Sequence, residues 1–302
     1  MLEGVLPIYK PAGMTSHDVV AKVRRILKIR RIGHTGTLDP AVTGVLPLCI
    51  GRATRLVEYI QERPKQYEAE MLFGYATDTE DTTGETIEKA KEVHISEEDV
   101  HRALQAFVGT IEQVPPMFSA VKVGGKRLYE LARQGQTVER KPRTVQVYAI
   151  ELLFFQAVEP YPILRFRADC SKGTYIRTLC VDIGKALGVP AVMSKLVRTQ
   201  TGSFALSDCV TLEQLQAAAD EGRVQQLLTA ADRAVAHLPE LHLFQKEAIK
   251  VMNGQVLELA EQPFPSGLVR VYGDDLGFIG IYEWNEQSGK LVPAKVFRTL
   301  NE

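Results

Sequence analysis

The stretch RIGHTGTLDPAVTGVLPLCIGRATR, Arg31 to Arg55, limits what this chain can fold into more than any other segment. Gly33, Gly36, Pro40 and Gly44 shape backbone rather than build core, so the segment between them reads as a formed loop. Thr35 and Thr37 can hydrogen-bond nearby main chain, and one carboxylate, Asp39, stands among them. The residues alone leave two readings open. Asp39 is a turn residue that caps its own loop, the simpler reading on composition, or it is an acid that the loop displays for chemistry.

The flanking sequence has the periodicities of a mixed α and β protein. GVLPIY is a short apolar run that reads as a buried strand, and KPAGMTSHD as the turn after it. Ser16 is expected to cap a helix whose apolar positions Val19, Val20, Val23, Ile26 and Leu27 recur at helical spacing. GVLPLCI predicts a strand and Arg52–Gln61 a helix. Tyr67–Phe73 alternates like a half-exposed strand. Ser96-Glu97-Glu98-Asp99 has the form of a capping box, opening a helix that carries Val100, Leu104 and Phe107. Arg143–Phe155 and Ile163–Cys170 read as long neighbouring strands, Tyr175–Leu187 as a helix stopped by Gly188 and Pro190, and Thr211 as the start of another helix. Beyond about Pro239 the signals become short strands and turns: LVRVY, FIGIYEW and LVPAKVF. The expected fold class is α+β, a central mixed or antiparallel sheet flanked by helices and loops, followed by a small β-barrel. The expected units are residues 1–236 and 237–302, a division that a chain of 302 residues accommodates.

Several chemistries find no support. GHTGTLDP lacks the Lys-Ser/Thr of a Walker loop, and no G-x-G-x-x-G follows a strand and opens a helix. There is no G-x-S-x-G nucleophile elbow, and Asp39 has no acidic neighbour in its loop for paired-carboxylate hydrolysis. Cys49, Cys170, Cys180 and Cys209 form no CxxC pair and the histidines show no metal-like spacing, so reduced thiols, no zinc and no cofactor are expected. No apolar run approaches the roughly 18 residues of a membrane helix. The N-terminus lacks the features of a signal peptide, and a cytoplasmic location is expected. Net charge is −1, but residues 1–65 hold eleven Lys/Arg against five Asp/Glu, Lys122–Arg143 is basic again, and Asp78–Asp99 is acidic. Segregated basic segments suit phosphate contacts, although charge alone leaves an ordinary solvated surface equally open.

The words around the Asp39 loop add a resemblance. KPAGMTSHDVV, GHTGTLDPAVTGVLPLCIGRATR, KQYEAEMLFGYATDTEDTTG, QVPPMFSAVKVGGKRLYELARQG, CSKGTYIRTLCVDIG and LVRTQTGSF resemble the bacterial tRNA pseudouridine-55 synthases, the TruB family, in that family's order over most of residues 4–204. The C-terminal part resembles the PUA domain that follows their catalytic domain. The resemblance implies an isomerase acting on the T-loop of tRNA, without cofactor, metal or obligate protein partner, and as a monomer. The target uridine would be flipped out of its loop to be reached.

Carried over residue by residue, Asp39 matches the family's catalytic aspartate and Arg177 the arginine that pairs with it. Tyr67 matches the aromatic that stacks on the target base and helps move its proton. Tyr175 and Leu196 match residues lining the same pocket, and His34 the histidine that fills the space the flipped base leaves. Arg55 is expected to contact phosphate or Asp39, and Lys122 to bind RNA. Lys10, Pro11 and Gly13 resemble a supporting motif. The basic helix after Ser16 and Lys122–Arg143 would grip the RNA backbone, the latter as an adaptable clamp. Two rivals come with this reading: a tRNA-folding chaperone using the same site, and a guide-RNA-dependent synthase, which shares the GTLDP and PUA words.

Overall fold

In the computed structural model, which describes residues 2–260 and 262–297, the chain opens with strand β1 (Gly4–Lys10) and helix α1 (Ser16–Leu27). The helix is capped by Thr15, one residue before the expected Ser16: the Thr15 side chain accepts from Asp18 N, and Asp18 answers the Thr15 backbone. Ser16 is the first helical residue, and its hydroxyl is spent elsewhere. It accepts from Leu38 N at 2.9 Å and donates to Leu38 O at 3.3 Å, next to Asp39. Strands β2 (Ile32–His34) and β3 (Thr43–Ile50) bracket the Asp39 loop. The expected helix over Arg52–Gln61 is a 3-10 turn, Gly51–Leu56, running into a short α2 (Val57–Gln61).

Strand β4 (Lys65–Phe73) is followed by a hairpin, β5 (Tyr75–Thr77) and β6 (Thr86–Lys89), which the acidic composition of that segment hid. Ser96 caps α3 (Glu97–Ala106) as expected. Then come β7 (Gly109–Gln113), the two-residue strands β8 (Lys122–Val123) and β9 (Lys126–Arg127), and α4 (Leu128–Arg133). The long pair β10 (Arg143–Gln156) and β11 (Ile163–Cys170) is antiparallel. Helix α5 (Ile176–Ala186) leads into β12 (Ala191–Thr201), β13 (Phe204–Ala205) and α6 (Leu212–Asp220), the last capped by Thr211.

Nine of these strands build one sheet in the order β1-β3-β12-β4-β11-β10-β7, with β2 on β3 and β13 on β12, while β5–β6 and β8–β9 pair only with each other. It is mixed: β12 runs parallel to β3 and antiparallel to β4. β1 and β3 read as nearly continuous apolar runs because both faces are covered. Leu6, Ile8, Leu46 and Leu48 pack against Val19 and Val23 of α1 and Leu215 of α6, while Val5, Val45 and Cys49 face the other way. Pro7 and Pro47 face each other in that register, so two residues without an N–H meet where the ladder asks for none. Farther along, Phe73, Leu164 and Phe166 pack with Leu179 and Ile183 of α5 and Leu104 of α3. Each such buried side chain contributes about 1.5–3 kcal/mol.

A second, five-stranded sheet has the order β14 (Glu240–Leu243), β16 (Gly267–Gly273), β17 (Gly277–Asn285), β18 (Lys290–Val296), β15 (Leu257–Glu258). It curls around its own core of Trp284, Tyr282, Val269, Val271 and Ile279, closed by α7 (Gln245–Met252). This half-barrel fits a PUA-like unit; residues 261 and 298–302 of its expected extent lie outside the described residues. It packs on the first part of the chain through Ile281 and Phe297, which join Val45, Ala53, Leu56 and Ile60 in one cluster.

The join of β3 to β12 depends on Gly44. Its φ is +112°, and a Cβ there would lie 2.2 Å from the Arg198 carbonyl oxygen. Gly44→Ala is therefore expected to lower stability by at least about 2 kcal/mol, measured as a fall in the urea midpoint.

Candidate active site

The Asp39 loop is held from both sides of the acid. Leu38 is tied to Ser16 as described, and Pro40 O accepts from Gly13 N at 2.9 Å and from Lys10 Nζ at 3.2 Å. The Lys10 ammonium, fully buried, also donates to Pro11 O and Met14 O at 2.8 and 2.6 Å. Burial pulls it down to about 8, against the raising influence of the Asp39 charge. Asp39 O accepts from Val42 N at 3.0 Å, closing the turn. Thus the KPAG segment is a splint for the loop, as its expected supporting role implied. The backbone of Asp39 has no freedom, while its side chain is 43% exposed.

Arg177 meets that carboxylate. Its Nη2 lies 3.0 Å from Asp39 Oδ2, across 138 residues of sequence (177 minus 39). The guanidinium is 6% exposed, and other groups fix it: Nη1 donates to Thr79 O and Nη2 to Phe118 O, both at 2.8 Å. Asp81 Oδ2 stands 4.0 Å from Nη1, and the other oxygen of that carboxylate, Oδ1, accepts from Thr79 Oγ1 and Thr83 N at 2.8 and 2.9 Å. Arg177 lies in the first turn of α5, whose N-cap residue, Tyr175, makes no side-chain cap. The buried Gln113 amide holds that residue's own backbone: its oxygen accepts from Tyr175 N at 2.9 Å and its nitrogen donates to Tyr175 O at 3.2 Å.

Tyr67 sits mid-β4, with Ala168 opposite it on one side and Arg198 on the other. Leu196 faces Ala69 in the same ladder. Both are partly buried against the main core cluster. Burial raises the Tyr67 phenol above its ordinary range, with the Arg198 guanidinium pulling the other way. His34, half-buried, has the ring of His17 at 5.2 Å in an edge-on arrangement, and its Nδ1 accepts from Gly36 N at 3.4 Å. Burial, reinforced by His17, depresses its pKa, which favours the neutral ring.

One expected site residue lies away from Asp39. Arg55 does not reach Asp39: it donates to Val296 O and Phe297 O at 2.8 and 3.2 Å, tying the 3-10 turn to the second sheet. A lone arginine at the end of a loop motif carries no signal of which way it points. Lys122, expected to bind RNA, is solvent-exposed in the small hairpin, paired with Arg127. Conversely, nothing in the sequence marks Asp81, Gln113 or Arg198, or gives Ser16 more than a capping role, though all four lie in the motif words quoted above. Among the described residues no cluster of three or more His, Cys, Asp or Glu is placed to hold a metal ion.

Removing Arg177 leaves a carboxylate and two carbonyls without their donor. Arg177→Met is expected to cost about 3 kcal/mol, read from chemical denaturation, and Asp81→Asn to cost less than that.

Comparison with known proteins sets this geometry in a family. The TruB family pseudouridylate synthase N-terminal domain matches residues 24–176, the tRNA pseudouridylate synthase B C-terminal domain residues 177–236, and a TruB C-terminal domain of pseudouridine synthase II residues 239–297. The tRNA pseudouridine synthase B of Bacillus pumilus is 52% identical over 264 residues, 87% of this chain and 85% of that protein. The enzyme of the same name from Bacillus subtilis is 46% identical over 308 residues, all of both chains. Among solved structures, the Cbf5–Nop10–Gar1 complex gives a TM-score of 0.76 at 29% identity, covering 99% of this chain and 86% of the matched one. The archaeal box H/ACA Nop10–Cbf5 complex gives 0.74 at 27%, covering 98% and 86%. With the whole length matched and the Asp39 loop standing inside the N-terminal match, the chain belongs to the TruB family of pseudouridylate synthases.

Proposed function

We propose that this protein isomerises uridine 55 in the T-loop of tRNA to pseudouridine, acting alone, with Asp39 as the essential carboxylate. The observation that carries the proposal is the 3.0 Å pair between the half-exposed Asp39 and the buried Arg177, set in a loop splinted on both sides. The guanidinium fixes where the carboxylate stands, and a carboxylate is a group that acts as nucleophile or base. In the reaction the N1–C1′ bond breaks, the base turns, and C5 bonds to C1′. Nothing is added or lost overall.

Tyr67, Tyr175 and Leu196 supply aromatic and apolar surface for a flipped uracil, and the neutral, half-buried His34 ring can occupy the space it leaves. The relatives that act on tRNA by name are 46–52% identical, against 27–29% for the Cbf5 structures, which supports the stand-alone reading over a guided one. We take the chain as a monomeric, cytoplasmic enzyme of two units, residues 1–236 and 237–302; the change of family model between 236 and 239 supports that division.

For the RNA backbone, α1 offers the best-formed surface. A groove of about 750 Å³ between α1 and α6 is lined by Lys22, Arg25, Lys28, Gln216 and Gln225, with one acid, Asp220. Lys122 and its hairpin would add a second, exposed grip.

The first test is a T-loop hairpin tritiated at C5 of its uridines, since forming pseudouridine releases that label to water. Wild type is expected to release it, and Asp39→Asn to lose at least about a thousandfold in rate while still binding the hairpin. Binding by both with release by neither would instead support a chaperone or a guided synthase. Separately, Lys22→Glu, Arg25→Glu and Lys28→Glu combined should weaken tRNA binding and reduce its salt slope by on the order of one unit per lost phosphate contact. An unchanged slope would remove α1 from the RNA interface.

A further inference from the structure

Glu80 is half-buried, the mechanism above gives its carboxylate no task, and its backbone has a φ of +65°. Residues with a Cβ rarely adopt that left-handed conformation. Lys28 is the other non-glycine residue described that does so, and it stands at the C-cap of α1, where the conformation is usual. Glu80 ends no helix. Backbone held in this way persists where the surroundings over-determine it.

What the backbone achieves is the aim of the side chain. Glu80 Oε2 accepts from the Thr178 hydroxyl at 2.7 Å, and Thr178, itself buried, follows Arg177 in the first turn of α5. Two successive residues of the β5–β6 turn thus meet two successive residues of the helix: Thr79 O receives Arg177, and Glu80 receives Thr178. The next residue, Asp81, stands 4.0 Å from the same guanidinium. Apart from the contacts of Arg177 itself, the Thr178 bond is the one hydrogen bond between this turn and α5 among the described residues. On its other side the turn is tied to β12: Glu80 O accepts from Met193 N and Thr82 N donates to Met193 O, at 3.2 and 3.1 Å.

We propose that Glu80 is a positioning residue for Arg177: its bond to Thr178 latches the β5–β6 turn onto α5, so that the guanidinium can meet the turn and Asp39 at once. This rests on the synthase reading above, in which the Arg177–Asp39 pair is the centre of the site. A turn held to the helix through Arg177 alone would draw the guanidinium with it whenever it moved, and away from Asp39. With the latch closed, the neighbouring hydroxyl carries that restraint and Arg177 keeps its geometry. The latch needs an acceptor oxygen and not a charge. Burial raises the Glu80 carboxyl above its ordinary range, with the Thr178 bond and Arg177 pulling the other way, so an amide of the same length suits the position.

The test is the single-turnover rate of pseudouridine formation on a saturating T-loop hairpin, with the hairpin Kd and the urea midpoint alongside. The proteins are wild type, Glu80→Asn, Thr178→Val, the two combined, and Glu80→Gln. Asn tolerates the left-handed backbone but is one carbon too short for the Thr178 hydroxyl. Glu80→Asn and Thr178→Val are each expected to be about tenfold slower, short of the roughly hundredfold cost of a 1 Å misplacement, with Kd unchanged. The double variant is expected to be no slower than either single one, as for one shared bond, and Glu80→Gln to keep the wild-type rate. A merely structural role would lower the urea midpoints and leave the rates of the folded variants at the wild-type value. That result overturns the proposal, as does a double variant in which the two losses multiply, or a Glu80→Gln as slow as Glu80→Asn. Where a variant at one position does not fold, the other position carries the comparison, since each removes the same bond. Absence of product from wild type would sink the synthase reading itself, a separate outcome.

Discussion

One guanidinium organises the candidate site. Arg177 brings a permanent charge into a setting only 6% exposed, and three separate pieces of chain converge on it: the Asp39 loop, the β5–β6 turn with the carbonyl of Thr79 and the carboxylate of Asp81, and the carbonyl of Phe118. A buried charge with that many oriented acceptors is tolerable only if all are present together. The acid is therefore not simply near its partner. Its loop, the β5–β6 hairpin turn and the segment leading to the β8–β9 hairpin share one electrostatic anchor, so a displacement of any of them is felt at Asp39.

The sheet order explains how distant sequence reaches that anchor. β12 lies between β3, which leaves the Asp39 loop, and β4, which carries Tyr67. Leu196 and Arg198 thus come from the one strand that touches both. The parallel contact of β12 with β3 is brief, two register pairs, and it closes only because Gly44 lets the Arg198 carbonyl come so near. The shaped loop and the flat sheet are two halves of one device. The glycines that give the loop its form also let its outgoing strand enter the centre of the sheet.

Much of this could be read from sequence where the determinants are local. The capping boxes at Ser96 and Thr211 hold because a cap and its N3 partner lie within one turn. The Ser16 expectation slipped by one residue for a non-local reason: its hydroxyl is captured by Leu38, 22 positions away. β12 has no clean strand pattern in the sequence because Lys195 and Arg198 interrupt its apolar run, and Arg198 is bonded to Val45 O and stands opposite Tyr67, neither a neighbour in sequence. Arg55, expected at phosphate or Asp39, is drawn away from Asp39 by carbonyls 241 and 242 residues on, partners that no local motif signals. Asp39 and Arg177 came from resemblance, not from spacing, since no local pattern pairs residues so far apart.

The second sheet bears on the same geometry. Arg55 and the Glu58–Lys295 pair at 2.7 Å tie the 3-10 turn and α2 to the end of β18, and Phe297 lies beneath the Arg52 guanidinium, 5.5 Å from ring centroid to carbon. These contacts begin directly after β3, so the strand that fixes Asp39 on one end is clamped to the half-barrel at the other. The surface ion pair contributes little by itself. The apolar seam of Ile281 and Phe297 with Val45, Ala53 and Leu56 contributes more, because it removes large side chains from water. Val45 is where the two demands meet: its side chain belongs to that seam, and its carbonyl holds Arg198. The C-terminal sheet therefore packs on the same residue of β3 whose carbonyl receives the buried guanidinium, which makes it part of the support of that strand.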